Sequence, residues 1–164
     1  EDRPVDVLLA RGTFNSHPYV MGAMNVFLKR LETPEIAKLY DGIDERWDGR
    51  AAALNARLEA EGLSPRVSNL SSIWTVSYET PSRYNWMLQY YLRAEGLMLS
   101  WVGTGRFIFS LNYTDAEFTE VADRFMAAAK KMRDDGWWDG PEDATDKTIR
   151  RGIMKETLNK RLRG

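Results

Sequence analysis

A chain of 164 residues, 43% apolar and 29% charged, has the composition of an ordinary globular protein, long enough for one domain with a genuine core. Its 23 basic and 24 acidic side chains leave no overall field for nucleic acid or an anionic membrane, and no apolar run nears the roughly 20 residues that span a bilayer. The lack of cysteine excludes disulfides, thiol nucleophiles and thiolate metal sites and fits a cytoplasmic location, while a single histidine argues against a zinc cluster.

Val5 to Ala10 is a short apolar run that reads as a strand, and it leads into Arg11-Gly12-Thr13-Phe14-Asn15-Ser16-His17-Pro18. A helix is expected from Tyr19 to Glu32, with Val20, Met24, Phe27 and Leu31 at helical spacing, stopping at Thr33-Pro34. Thr33 suits the cap and Pro34 the first turn of a long second helix. Its stripe of Ile36, Tyr40, Ile43, Trp47, Ala51, Leu54 and Leu58 runs to Gly62. The period then changes: Arg66 to Asn69 and Ile73 to Tyr78 read as strands, closed by Thr80-Pro81.

A third helix carries Tyr84, Met87, Leu88, Tyr91 and Leu92 and ends at Gly96. Two more strands are expected, Leu97 to Trp101 and Arg106 to Leu111, around Gly103-Thr104-Gly105. Thr114-Asp115-Ala116-Glu117 is a capping box, and Phe118, Val121, Phe125, Ala128 and Met132 form the stripe of a fourth helix. A polar stretch from Asp134 to Asp146 precedes a basic helix ending near Leu162, with Ile149, Ile153 and Leu158 among its lysines and arginines. The pattern implies an α+β fold, a short, mostly antiparallel sheet with helices on one face, divided as 1–32, a connector helix 33–62, a small domain 63–135 and a tail 136–164.

The Gly12-Thr13 turn offers a hydroxyl and backbone N–H groups to an anion, and the helix behind it adds its dipole; it reads as half of a phosphate cup. Gly-Thr, a short polar stretch, Pro18 and a Met/Ala-rich helix together resemble the class III, fold type I pyridoxal-phosphate aminotransferases, especially the glutamate-1-semialdehyde aminomutase branch. The resemblance runs from about Val5 to about Met132, and Ser16-His17-Pro18 stands where the family commonly has Gly-Asn-Pro. It implies that Gly12 and Thr13 hold the phosphate of pyridoxal 5'-phosphate bound at a dimer interface, and that a cofactor-binding large domain precedes this part. The first residue, Glu1, is not an initiator Met, and we read the chain as a fragment equivalent to the C-terminal small domain of such an enzyme and what leads into it.

His17, beside the cup, is a candidate for assisting phosphate or substrate binding, against a plain position at the helix start. Arg106 opens Arg106-Phe107-Ile108-Phe109-Ser110-Leu111, which resembles the Arg-Phe-x-Pro-Ser-Leu stretch of acetylornithine and ornithine aminotransferases. There the arginine forks onto the substrate carboxylate; a solvent-facing arginine is the rival reading. Trp74, Trp86, Tyr90, Tyr91 and Trp101 are expected in the core, and Trp137-Trp138 is expected to plug a groove on the large domain or a second subunit. None of Lys29, Lys38, Lys130, Lys131, Lys147, Lys155 or Lys160 has the strand-and-glycine setting of the family's cofactor-tethering lysine, so the isolated chain is expected to be inactive.

The resemblance thus implies part of an aminomutase, homodimeric and acting on a small amino acid. The alternatives are an intermolecular aminotransferase for a small amino acid or carrier-bound keto acyl group, and a non-catalytic dimerisation domain. No nucleic-acid, membrane or metal partner is expected.

Overall fold

The computed structural model describes residues 17–98, 106–141 and 144–163. The run Val5–Ala10, the Gly12-Thr13 turn and Trp101 lie outside the described residues. The chain divides between Asp41 and Gly42 into two compact units.

In the first unit, α1 (Pro18–Leu31) is followed by α2 (Pro34–Tyr40), with a proline opening each helix where its missing N–H costs nothing. Thr33 precedes α2 but does not cap it with its side chain; its hydroxyl donates to the carbonyl of Arg30 at 2.8 Å, closing the end of α1 instead. No residue of α1 is buried, and Tyr19, Val26 and Phe27 stand more than half exposed.

The single helix expected over 33–62 is two. Asp41 is extended and Gly42 takes the left-handed region at φ 60°, a pair of conformations that no continuous helix contains. From there α3 (Ile43–Ala60) belongs to the second unit, buries Trp47, Ala51, Leu54 and Leu58, and packs on the sheet instead of bridging to it.

The sheet is antiparallel in the order β1 (Pro65–Leu70), β2 (Ile73–Tyr78), β3 (Arg106–Ile108). Val67 faces Val76, and Trp74 faces Phe107. Those side chains turn toward α3 and α5 (Asp115–Asp134), while Ser68, Thr75 and Arg106 form a row on the exposed face. The period-two alternation thereby becomes one wet and one dry face. The outer edge of β1 is blocked at Val67: the Asn55 carboxamide both donates to its carbonyl and accepts from its N–H, each at 2.8 Å.

Between sheet and helices, Trp47, Trp74, Phe109 and Phe118 make every one of their possible ring pairs, from the 5.1 Å stack of Trp47 on Phe109 to the 6.0 Å edge contact of Trp47 with Trp74. A 3-10 turn (Asn85–Met87) leads into α4 (Leu88–Ala94), which packs on α5 and buries Leu88 and Leu92. The capping box at Thr114 is complete: Glu117 N–H donates to Thr114 Oγ1 at 3.2 Å and Thr114 N–H to the Glu117 carboxylate at 2.8 Å. The last element is α6 (Asp146–Arg163).

Helices α3, α4 and α5 end alike. A glycine at positive φ follows the last turn, and the N–H of the next residue reaches back to a carbonyl five residues earlier: Leu63 to Leu58, Leu97 to Leu92, Trp137 to Met132. An apolar residue thereby returns against its own helix.

This motif corrects two expectations. The N–H of Leu97 is committed to Leu92 at 2.8 Å, so Leu97 and Met98 continue the helix cap and no strand, and the rest of the expected strand 97–101 lies outside the described residues. Trp137 and Trp138 are likewise turned inward and pack on their own unit. The indole of Trp137 donates to the Tyr91 hydroxyl at 2.6 Å and that of Trp138 to Asn85 Oδ1 at 3.0 Å. Trp74 is core as expected, whereas Trp86 and Tyr90 are exposed.

Candidate functional site

Arg106 begins β3, paired with Thr75, and its side chain is exposed on the wet face. Two depressions meet at it. A cleft of about 280 Å³ is lined by Leu97, Met98, Phe107, Tyr113 and Val121 along with Arg106. A shallower groove of about 380 Å³ runs over Ser68, Leu70, Ile73 and Thr75 to the same arginine. Among the described lining residues of both, Arg106 alone is charged. A cation beside a cleft lined by Leu97, Met98, Phe107 and Val121 suits a small ligand that carries a carboxylate or phosphate on an apolar body.

The strand holding Arg106 is fixed from beneath. Phe107 and Phe109 alternate with Arg106 and Ile108, and Phe109 is locked into the four-ring cluster, its N–H bonded to the Ser72 carbonyl at 3.0 Å. The residues after β3 are tied to α3 by Arg50. Its guanidinium donates through Nη2 to the Tyr113 carbonyl at 2.9 Å and to the Asp115 carboxylate at 2.8 Å. Its Nε and Nη1 are buried without a hydrogen-bond partner, but the cation lies 4.6 Å from the Trp47 ring centroid. An aromatic face is the stabilising surface left to it. Sequence reasoning passes over Arg50; the signal that could have found it is its place between Trp47 and Leu54 on the buried stripe of α3.

His17 is the N-cap residue of α1, extended, exposed and without a side-chain capping bond, with its ring 5.5 Å from that of Tyr19. Its carbonyl accepts the first helical bond, from Met21 N–H at 3.0 Å. The first turn of α1 holds no acidic residue and its last turn holds Lys29 and Arg30, so nothing in the helix neutralises the positive end of its dipole. His17 belongs to the first unit and Arg106 to the second, and Gly12 and Thr13 lie outside the described residues.

The shifted titrating groups belong to the scaffold. Burial pushes the Tyr78 phenol up to about 12, burial and the Asp135 carboxylate raise that of Tyr91, and Thr114 holds Glu117 below the usual carboxylate range. Lys130 lies 2.8 Å from Glu61, and Lys131 is paired with Glu95. No lysine is among the described residues lining either depression. Among the described residues no three His, Asp or Glu side chains converge as metal ligands would.

No family model and no curated protein matches this chain. Solved structures do. A transaminase with PLP bound superposes with a TM-score of 0.59 at 22% identity, over 77% of this chain and 30% of that one. An omega-transaminase from Sphaerobacter thermophilus superposes with a TM-score of 0.59 at 20% identity, over 75% of this chain and 30% of that one. The likeness is one of fold: an α+β unit with a three-stranded antiparallel sheet, shared with a portion of each transaminase. The chain spans 30% of the length of either.

Proposed function

We propose that this chain is the C-terminal part of a class III pyridoxal-phosphate aminotransferase, homodimeric and cytoplasmic, and that it contributes a phosphate contact and the substrate-side wall of the site. The observation that carries the reading is the fold shared with a PLP-bound transaminase over 77% of the chain. The Gly12-Thr13 turn, whose helix opens at Pro18, adds to it.

The described end of the cup, the start of α1, suits the cofactor's phosphate. The N-terminus of α1, whose first turn holds no acidic residue, offers backbone N–H groups to a dianion, and in this reading the Thr13 hydroxyl joins them, with His17 as a further donor at the helix start. Pyridoxal phosphate supplies an electron sink for amino transfer when bound. In this reading Arg106 binds the carboxylate of a small amino or keto acid, and the apolar lining beside it takes the remainder and excludes water. The lysine that tethers the cofactor lies in the large domain, a reading supported by the helical, paired or outlying positions of the described lysines. The chain alone is then inactive.

Within the class, the Gly-Thr context favours a glutamate-1-semialdehyde aminomutase-like enzyme, while Arg106 and the omega-transaminase likeness favour transfer between two molecules. Release of a keto acid after amino donation in the full-length enzyme separates them. A non-catalytic dimerisation domain remains the second reading, supported by the exposed apolar side chains of α1.

The first experiment is to titrate the chain with pyridoxal phosphate, reduce with borohydride and map labelled lysines by mass. A specific stoichiometric adduct would overturn the assignment of the tethering lysine to another domain. Unchanged cofactor affinity in a full-length Thr13→Ala variant would overturn the phosphate role.

A further inference from the structure

The tail beyond α5 takes no part in the function proposed above, and its charge sets it apart. The segment 146–163 carries seven bases and two acids, a net +5, leaving −6 on the remainder of a chain whose net charge is −1. Such segregation gives the segment a basic character that the chain's near-neutral total conceals.

The helix is oriented by its few contacts with the body. Arg83 forks onto Glu156 with bonds of 2.7 and 2.9 Å, and Ile149 is half-buried. At 3.6 residues per turn these two fall on one side of α6, and Met154, Leu158 and Leu162, spaced by four, fall on the other. Those three are 65%, 57% and 83% exposed. Lys147, Arg150, Arg151, Lys155 and Arg161 fall on the same outward half, all exposed and, among the described residues, in no ion pair.

We propose that α6 docks on an anionic lipid bilayer, with Met154, Leu158 and Leu162 entering the headgroup layer and the lysines and arginines of the same half meeting lipid phosphates. Charge complementarity selects a polyanion, and the apolar strip selects a bilayer among polyanions. A nucleic-acid backbone would engage the bases and leave three large apolar side chains in water. A membrane interface uses both, because long basic side chains extend to the phosphates while the strip is buried. The contact is peripheral, since no helix among the described residues is long and apolar enough to cross a membrane. Residues 42–145 of the second unit, with 11 bases and 16 acids, are repelled by the same surface, which favours contact through α6.

The test is cosedimentation of the full chain with vesicles of phosphatidylcholine alone and of phosphatidylcholine mixed with phosphatidylserine. Binding is expected to the mixed vesicles only, weakening as salt is raised. It should fall at least about tenfold in K147Q/R151Q/K155Q, and also in M154Q/L158Q/L162Q. These positions are exposed, and circular dichroism separates a melted α6 from a lost contact. Equal binding to both vesicle types, binding to neither, capture of a duplex DNA probe without vesicle binding, or full binding by the M154Q/L158Q/L162Q variant with α6 intact would each overturn the proposal.

Discussion

The guanidinium of Arg50 lies 4.6 Å from the ring centroid of Trp47 and 5.1 Å from that of Phe118, with only 8% of the residue exposed. A charge has been placed in the aromatic core and tied by one nitrogen to the chain that leaves β3. We therefore expect Arg50→Ala to remove about 2–4 kcal/mol of stability in urea unfolding, through the cavity and the lost cation–ring and hydrogen-bond contacts. Arg50→Met, which keeps volume and needs no polar partner, should cost less. Asp115→Ala should cost least, because that carboxylate is 92% exposed and screened.

Asn55 takes the place of a neighbouring strand at Val67. Asn55→Leu leaves an edge N–H and carbonyl unpaired and should cost about 1–3 kcal/mol. The opened edge should also show concentration-dependent association in sedimentation velocity, which Asn55→Asp, carrying charge at the edge, should suppress.

Two glycine-to-alanine changes should have opposite signs. Gly96 sits at φ 84°, and a Cβ there would collide with Arg124 Nη1. Gly96→Ala should lower stability by about 1 kcal/mol or more, from the left-handed conformation and a displaced Arg124. Gly49 lies inside α3, where an added Cβ meets nothing within 4 Å. Gly49→Ala should raise stability by about 0.5–1 kcal/mol, and thermal melts of both variants decide the matter.

Burial raises the Tyr78 phenol from its ordinary 10.0 to about 12 in the folded chain, so the fold favours the neutral form. The associated stability is fully present below the unfolded value near 10 and is lost as pH rises through that interval to about 12. Unfolding free energies of the chain and of Tyr78→Phe, taken across this window, should diverge, with the variant showing the shallower alkaline decline.

In a full-length enzyme, Arg106→Gln should raise KM for a carboxylate substrate by about 10- to 100-fold with a smaller effect on kcat, as loss of a binding contact does. Arg106→Lys should recover only part of it, because an ammonium lacks the fork. An unchanged KM would return Arg106 to the role of a surface strand residue.

What the sequence determines by itself is whatever its neighbours within a turn can enforce. Thr114 and Glu117 meet three residues apart and start α5, Pro18 and Pro34 start α1 and α2, and the alternation Ile73–Tyr78 makes β2. The break at Asp41-Gly42 is legible as a turn dipeptide, though the regular spacing of Tyr40, Ile43 and Trp47 runs across it. The candidate site is legible in residue type, as an arginine opening an aromatic strand, but not in its surroundings. Only the tertiary structure puts Asp115 against Arg50 across 65 positions, Asn55 against Val67 across 12, and Trp137 against Tyr91 across 46. No local propensity encodes such pairs: each joins residues that only the packing of separate elements brings within hydrogen-bond reach.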